Sequence, residues 1–270
     1  MHSMVDMHTQ GGDSEERSSK TPEAAILLIG NELLSGKIRD ENAYWLCGAL
    51  RALGVRVRHV AVVPDEEDAI VEALRRLSGA VDHLFTSGGV GPTHDDITLE
   101  SVAAAFGVPL YEEPALATQL KAFFQARLTD AHLRMARIPE GSTLIQIPES
   151  PWPIYQFKNI YIFPGIPHIL QRKFSAIAER FRASSFSLAR LYLDADEGSI
   201  AALLEEVERR YAVEIGSYPR TRREEHHRVL ITIEAKDEAR VEAAVEELIT
   251  SLPAGALLSR GEPPKAGEAP

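Results

Sequence analysis

A chain of 270 residues has room for one large domain, or for a medium domain with a small companion, and 44% apolar content can fill a sizeable core. Its 40 acidic against 29 basic residues give a formal net charge of -11, which excludes the broad positive footprint that captures a nucleic-acid backbone. A single cysteine, Cys47, excludes an intramolecular disulfide, and no apolar run reaches the roughly 20 residues that span a bilayer.

Residues 1–22 are polar and lack a signal-peptide core; they read as a disordered leader, and a cytoplasmic location is expected. Ala25–Gly30 is a continuous apolar stretch closed by glycine, as in a strand buried on both faces. A helix from about Glu41 places Ala43, Leu46, Cys47, Leu50 and Leu53 on one face, which makes Cys47 a core thiol. Gly54 stops it in a left-handed cap. Val55–Val63 is the second strand, and Asp65 reads as the N-cap of a helix carrying Ile70, Leu74 and Leu77. Val81–Thr86 is the third strand. Helices follow from about Thr98 to a stop at Gly107, and over about Pro114–Leu128. Ser142–Ile147 and Asn159–Phe163 are strand-like, and Phe163-Pro164-Gly165-Ile166-Pro167 turns into a helix with Ile169, Leu170, Ile177 and Phe181.

This alternation predicts an α/β fold with a mostly parallel sheet and right-handed crossovers. Ligands of such sheets sit beyond the C-terminal strand ends. Ala183-Ser184-Ser185 is the predicted boundary, giving a first domain over 23–184. Beyond it come a strand (Arg190–Leu193), a helix (Ser199–Tyr211), a strand (Val213–Ser217) and a turn at Tyr218-Pro219. A strand (Arg228–Ala235) and a helix (Asp237–Leu252) complete a small α+β domain of βαββα order over 188–258. Residues 259–270, rich in proline and glycine, read as a disordered tail. His226 and His227 lack the spacing of a helical metal pair and read as a solvated loop.

The chemistry concentrates in Ser87-Gly88-Gly89-Val90-Gly91-Pro92-Thr93-His94-Asp95-Asp96, which leaves the third strand. Glycines lacking β-carbons let the backbone approach a ligand, and successive N–H groups can converge on one phosphate. Thr93 adds a hydroxyl. Asp95 and Asp96 would repel a phosphate unless a divalent cation lies between, as Mg²⁺ does when held by one or two carboxylates and phosphate oxygens. The alternative is a tight turn whose aspartates only cap the next helix. His94 is either a proton shuttle or an outward-facing turn residue. A second polar cluster, Gly30-Asn31-Glu32-Leu33-Leu34-Ser35-Gly36 with Asp40 and Asn42, leaves the first strand. There Glu32 and Asp40 are candidates to face the site, or loop polarity and a helix cap.

These two segments, together with Phe163-Pro164-Gly165-Ile166-Pro167, resemble the molybdopterin-binding-like fold and, within it, the competence/damage-inducible protein A group. The chain is still more similar to the molybdopterin-binding-like module of eukaryotic FAD synthase. Leu191-Tyr192-Leu193-Asp194-Ala195-Asp196-Glu197-Gly198-Ser199-Ile200-Ala201, Gly216-Ser217-Tyr218-Pro219 and Leu252-Pro253-Ala254-Gly255 extend that likeness past the first domain. The resemblance implies a three-layer α/β/α domain that binds a phosphorylated pterin or a nucleotide. It implies metal-dependent hydrolysis of FAD to FMN and AMP, or cleavage of ADP-ribose-type pyrophosphates. Carried over by motif, Asp95 and Asp96 would be catalytic or bind metal (Mg, Mn or Co). Ser87, Gly88, Gly89, Gly91 and Thr93 would cradle phosphate, with Asn31, Glu32, Asp40, Pro164 and Gly165 completing the ligand site. Asn31 stands where many relatives carry an acidic residue.

The leading expectation is a metal-dependent pyrophosphatase acting on an adenine dinucleotide. The alternatives are a protein that binds or adenylates molybdopterin, and a non-catalytic nucleotide-binding regulator. Neither the deamidase domain of long competence proteins nor the adenylyltransferase domain of complete FAD synthase is recognised, so neither activity is assigned. The expected partners are a small nucleotide or pterin phosphate and further copies of the chain as a homo-oligomer, with no nucleic acid and no membrane.

Overall fold

The computed structural model describes residues 21–148, 150–220 and 227–264, and divides into two units between Ala183 and Ser184. The first unit opens with β1 (Glu23–Ile29), a short α1 (Asn31–Leu34), α2 (Asn42–Ala52), β2 (Arg56–Val63), α3 (Glu67–Ser78) and β3 (His83–Ser87). It continues with α4 (Thr98–Phe106), β4 (Leu110–Glu112), α5 (Pro114–Phe124), α6 (Asp130–Arg134) and β5 (Arg137–Pro139). The strands β6 (Thr143–Ile145), β7 (Ile154–Phe157) and β8 (Ile160–Phe163) then lead into α7 (Pro167–Ile177).

Six strands form one sheet in the order β2-β1-β3-β8-β7-β6. The first four run parallel, while β7 pairs antiparallel with both β8 and β6. Side chains alternate across β1, as the two-residue period of a strand requires. Ala25, Leu27 and Ile29 pack with Ile70, Leu74 and Leu77 of α3 and Leu99 and Val102 of α4. Ala24, Ile26 and Leu28 pack on the other face with Leu46 and Leu50 of α2 and Leu170 and Phe174 of α7. Helices on both faces explain why β1 is an unbroken apolar run, and they give the expected three layers.

The second unit consists of β9 (Ser187–Leu193), α8 (Glu197–Tyr211), β10 (Glu214–Pro219), β11 (Val229–Ala235), α9 (Glu238–Ser251) and β12 (Leu257–Arg260). Its antiparallel sheet has the order β10-β11-β9-β12. Leu191, Leu193, Ile231 and Ile233 meet Ile200, Leu204, Val241, Val245 and Leu248 in a separate core.

Several sequence-based boundaries move. Ser259 and Arg260, assigned to the tail, pair with Tyr192 and Leu191, so the second unit gains a fourth strand. Tyr218 and Pro219, read as a turn, continue β10 opposite Leu230 and Val229. Pro22, assigned to the leader, accepts a hydrogen bond from the Arg56 amide. Residues 1–20 and 265–270 and His226 lie outside the described residues. His227 packs edge-on against Tyr192. Cys47 is half-buried against the α2 face of the core, and burial raises its pKa, with Asp40 adding to the rise. No helix among the described residues is long and apolar enough to cross a membrane.

His83 gives the first unit a pH dependence. Its ring lies 5.1 Å from that of Phe181 and 6.2 Å from that of Tyr161, and burial lowers its pKa below the ordinary 6.5, partly offset by Asp82. The unfolded chain therefore takes up a proton that the folded state resists. The stabilisation is complete above the ordinary value and is lost as pH falls through the lowered folded value. Urea midpoints should drop between about pH 7.5 and about pH 5, and His83→Gln should flatten that slope. An unchanged slope in the variant would assign the effect elsewhere.

Candidate functional site

The chain leaves β1 for β2 on one side and returns to β3 on the other. Connections diverging from one strand open a crevice beyond its C-terminal end. Three neighbours, β1, β3 and β8, end there at Ile29, Ser87 and Phe163, and each runs into a glycine-bearing turn. The Gly88 amide donates to the Phe163 carbonyl at 3.1 Å, and the Gly30 amide to the Val63 carbonyl at 3.1 Å.

Gly88 and Gly89 take φ of 109° and 63°, left-handed values that side chains oppose. A β-carbon on Gly88 would sit 2.1 Å from the Ile29 carbonyl oxygen. Thr98, fully buried at the start of α4, ties this turn down. Its hydroxyl donates to the Gly88 carbonyl at 2.9 Å and its amide to the Gly89 carbonyl at 3.0 Å. With their carbonyls held against α4, the two glycines keep one conformation.

The next turn is built around Asp96. Its Oδ2 accepts the Thr93 amide at 2.8 Å and the Thr93 hydroxyl at 2.5 Å, and only a glycine at position 91 leaves it room. Arg134 clamps the outside by donating to the Pro92 and Thr93 carbonyls at 3.0 and 3.1 Å. Asp95 is exposed; the Thr93 hydroxyl first, then its own amide, hold its carboxyl below the ordinary carboxylate range. The Thr93 hydroxyl thus serves both neighbouring carboxylates, bonding Asp96 at the short distance and favouring the charged form of Asp95. Asp95 is ionised at neutral pH and lines the pocket as an open carboxylate. The His94 side chain is 95% exposed, with Nδ1 3.9 Å from Asp95 Oδ1, so it takes the outward-facing arrangement.

A pocket of about 600 Å³ occupies the crevice. Gly88, Gly89, Gly91, Thr93, Asp95 and Asp96 line one part of it, with Glu32, Pro164 and Gly165 alongside. The remaining three candidates lie outside the lining. Ser87 is buried, and its Oγ accepts from Asn42 Nδ2 at 2.9 Å. The same amide group donates to the Gly165 carbonyl at 2.6 Å, so Asn42 ties the β3 turn to the β8 turn. Asp40 is used at the start of α2, accepting the Asn42 and Ala43 amides at 2.9 and 3.1 Å, which is the helix-cap alternative. Asn31 donates its amide to Asp65 Oδ2 at 2.8 Å.

Sequence reasoning missed the rest of the lining. Asp65, read as the N-cap of α3, lines the pocket, while Glu66 occupies the cap position. Met135, Trp152, Tyr155, Ile162 and Ile169 supply an apolar and aromatic surface, and Lys173 lines the same pocket from α7. The sequence did hold a signal for the lysine. Lys173 falls in register with Leu170, Phe174 and Ile177, the buried stripe of α7.

Among the described residues no three His, Cys, Asp or Glu side chains converge to enclose a metal. With Asp96 Oδ2 already bonded and Asp95 open, the pair fits a cation that completes its shell with ligand oxygens and water. It does not fit an all-protein cage.

The family model described as "Probable molybdopterin binding domain" matches residues 25–183, more than half of the chain. The chain belongs to this molybdopterin-binding-domain family. Residues 185–260 match the model described as "FAD synthase, middle domain". A Caenorhabditis elegans protein named "Probable FAD synthase" is 30% identical over 254 residues, covering 83% of this chain and 49% of that protein. The chain thus spans about half the length of that relative. An Archaeoglobus fulgidus protein is 30% identical over 226 residues, covering 83% of this chain and 96% of its own length. Among solved structures, the family fold is shared with "the protein CinA with unknown function" from Thermoplasma acidophilum. That likeness has 31% identity and a TM-score of 0.56, covering 60% of this chain and 98% of the other. The competence-protein and FAD-synthase likeness read from the motifs therefore holds.

Proposed function

We propose that the first unit is a metal-dependent nucleotide pyrophosphatase that cleaves an adenine dinucleotide, taking FAD to FMN and AMP or acting on the ADP-ribose class. One observation carries this reading: a two-glycine turn, four carboxylates and an aromatic wall line a single pocket. Its volume is of the size that holds a cofactor-sized ligand. The match of 185–260 to an FAD synthase middle domain and the name of the Caenorhabditis relative favour the flavin member of the class.

In this reading the amides of the turn beyond Gly88, whose own amide is taken by the Phe163 carbonyl, bind the diphosphate, and the Asn42 bridge keeps the β3 and β8 turns at fixed separation. A divalent cation, when bound, offsets the charge of the pyrophosphate beside Asp95 and Asp96. Asp96, held by Thr93, fixes the loop, and Asp95 supplies the free carboxylate. Water adds to one phosphorus, the bridging P–O bond breaks, and the bridging oxygen departs on the other phosphate with one of the water protons.

Asp95→Asn should fold normally and lose hydrolysis by roughly a hundredfold or more, because the amide keeps the shape and removes the charge. A screen of FAD, ADP-ribose and related dinucleotides with Mg²⁺, Mn²⁺ and Co²⁺, read by mass spectrometry, checks it. Turnover at the wild-type rate in the variant would remove Asp95 from the mechanism. The family description favours a second reading, a protein that binds or adenylates a pterin phosphate. Calorimetry with a pterin phosphate beside FAD separates the two.

A further inference from the structure

Among the described residues Lys173 is the one basic side chain that lines the pocket, and it is 3% exposed. Its Nζ donates to the Pro153 carbonyl at 2.6 Å. Among the described residues it has no carboxylate within ion-pair distance, although Glu32, Asp65, Asp95 and Asp96 all line the same pocket. An ammonium carries three donors, so two remain without a protein acceptor among the described residues. Leaving charged donors unpaired away from water is costly. Burial accordingly pushes the Lys173 pKa down to about 8, with Arg172 contributing in the same direction. An acceptor brought by the ligand would remove that cost.

The surroundings identify which part of a ligand that is. The glycine turn provides the phosphate end. Lys173 is bonded to Pro153, just before β7, which lies beyond β8 from the β3 strand that carries the glycine turn, and it is one helical turn from Ile169. Aromatic and aliphatic side chains such as Trp152, Tyr155 and Ile169 suit the face of a planar ring, and a cation lining the same pocket suits a ring edge carrying oxygen acceptors. Flavin and pterin rings present carbonyl oxygens on such an edge. Adenine presents ring nitrogens and an amino donor instead.

We propose that Lys173 is a specificity residue that reads the oxo-substituted edge of a flavin or pterin ring seated against Trp152 and Tyr155. This rests on the pocket assignment above. The test uses the full chain and its Lys173→Met and Lys173→Gln variants, with melting curves to establish that each is folded. Met removes the charge at similar length, and Gln keeps a donor for Pro153. Affinities are measured for FMN, a monophosphorylated pterin and AMP. Losing a charge-assisted bond should weaken FMN or the pterin by about tenfold to a hundredfold and leave AMP within about twofold. The arm that weakens identifies the ring. Equal weakening of all three, or no weakening of either oxo ring, overturns the proposal while the pocket assignment stands. Failure of the wild-type chain to bind any of the three overturns both.

Discussion

Gly88→Ala should destroy phosphate binding, and it should do so more completely than alanine at other glycines of the chain. The new β-carbon would lie 2.1 Å from the Ile29 carbonyl oxygen, a backbone atom in the central strand that cannot swing aside. The φ of 109° is itself strained for any side chain, at about 1–3 kcal/mol. If that strain is relieved by leaving the binding conformation, affinity falls by about 5- to 150-fold before the clash is counted. Relief also pulls on the bonds from Gly88 to Phe163 and from Thr98 to Gly88, which join β3 to β8 and to α4. Two comparisons isolate the cause. A β-carbon on Gly165 would meet Gly88 Cα at 3.5 Å, an ordinary contact, so Gly165→Ala should keep most of the affinity. Gly48, exposed within α2, has nothing within 4 Å, so Gly48→Ala should stabilise by about 0.5–1 kcal/mol. Calorimetric titration with FAD and thermal melts read all three. Wild-type affinity in Gly88→Ala would mean that phosphate is bound somewhere other than this turn.

The features legible in the sequence are those whose cause is local. β1 could be read because a strand with helices on both faces must be apolar throughout, and the α4 stop because Gly107 takes a left-handed φ of 66°. β4 and β5 are three residues each, too short to show a period, and they exist only because they pair with one another. β7 needed β8 beside it in the same way. Within the site, the glycine turn was visible because glycine has few other reasons to recur at that spacing. The carboxylates were harder. Asp40 and Asp65 both precede helices and look alike as caps, yet one binds its own helix start and the other binds the Asn31 amide 34 residues away. Ser87 shows the same limit: its type suits phosphate, but the packing of Asn42 against two turns uses it internally.

Phe85→Ala should cost the first unit about 3–5 kcal/mol, the range for emptying a fully buried aromatic site. Phe85 is completely buried three residues before Gly88, and its ring stacks on Tyr161 at 5.5 Å. It also meets Phe174 and Phe181 edge-on at 5.6 and 5.1 Å. Those partners come from β8, α7 and the turn after it, so the surrounding groups are fixed by separate elements and have little freedom to close the void. A loss of that size is about a fifth or more of the stability of a typical domain, about 5–15 kcal/mol. Both tryptophans of the chain, Trp45 and Trp152, lie in the first unit, so their fluorescence in urea follows that unit without the second. The midpoint should fall with little change in slope. Phe123→Ala, at a side chain 49% exposed, should move it far less. Because Phe85 contributes no atom to the pocket lining, the folded fraction of Phe85→Ala should still bind FAD with near wild-type affinity at low temperature. A loss below about 1 kcal/mol would show that α7 collapses onto β3, and the core behind the site would then be softer than its packing implies.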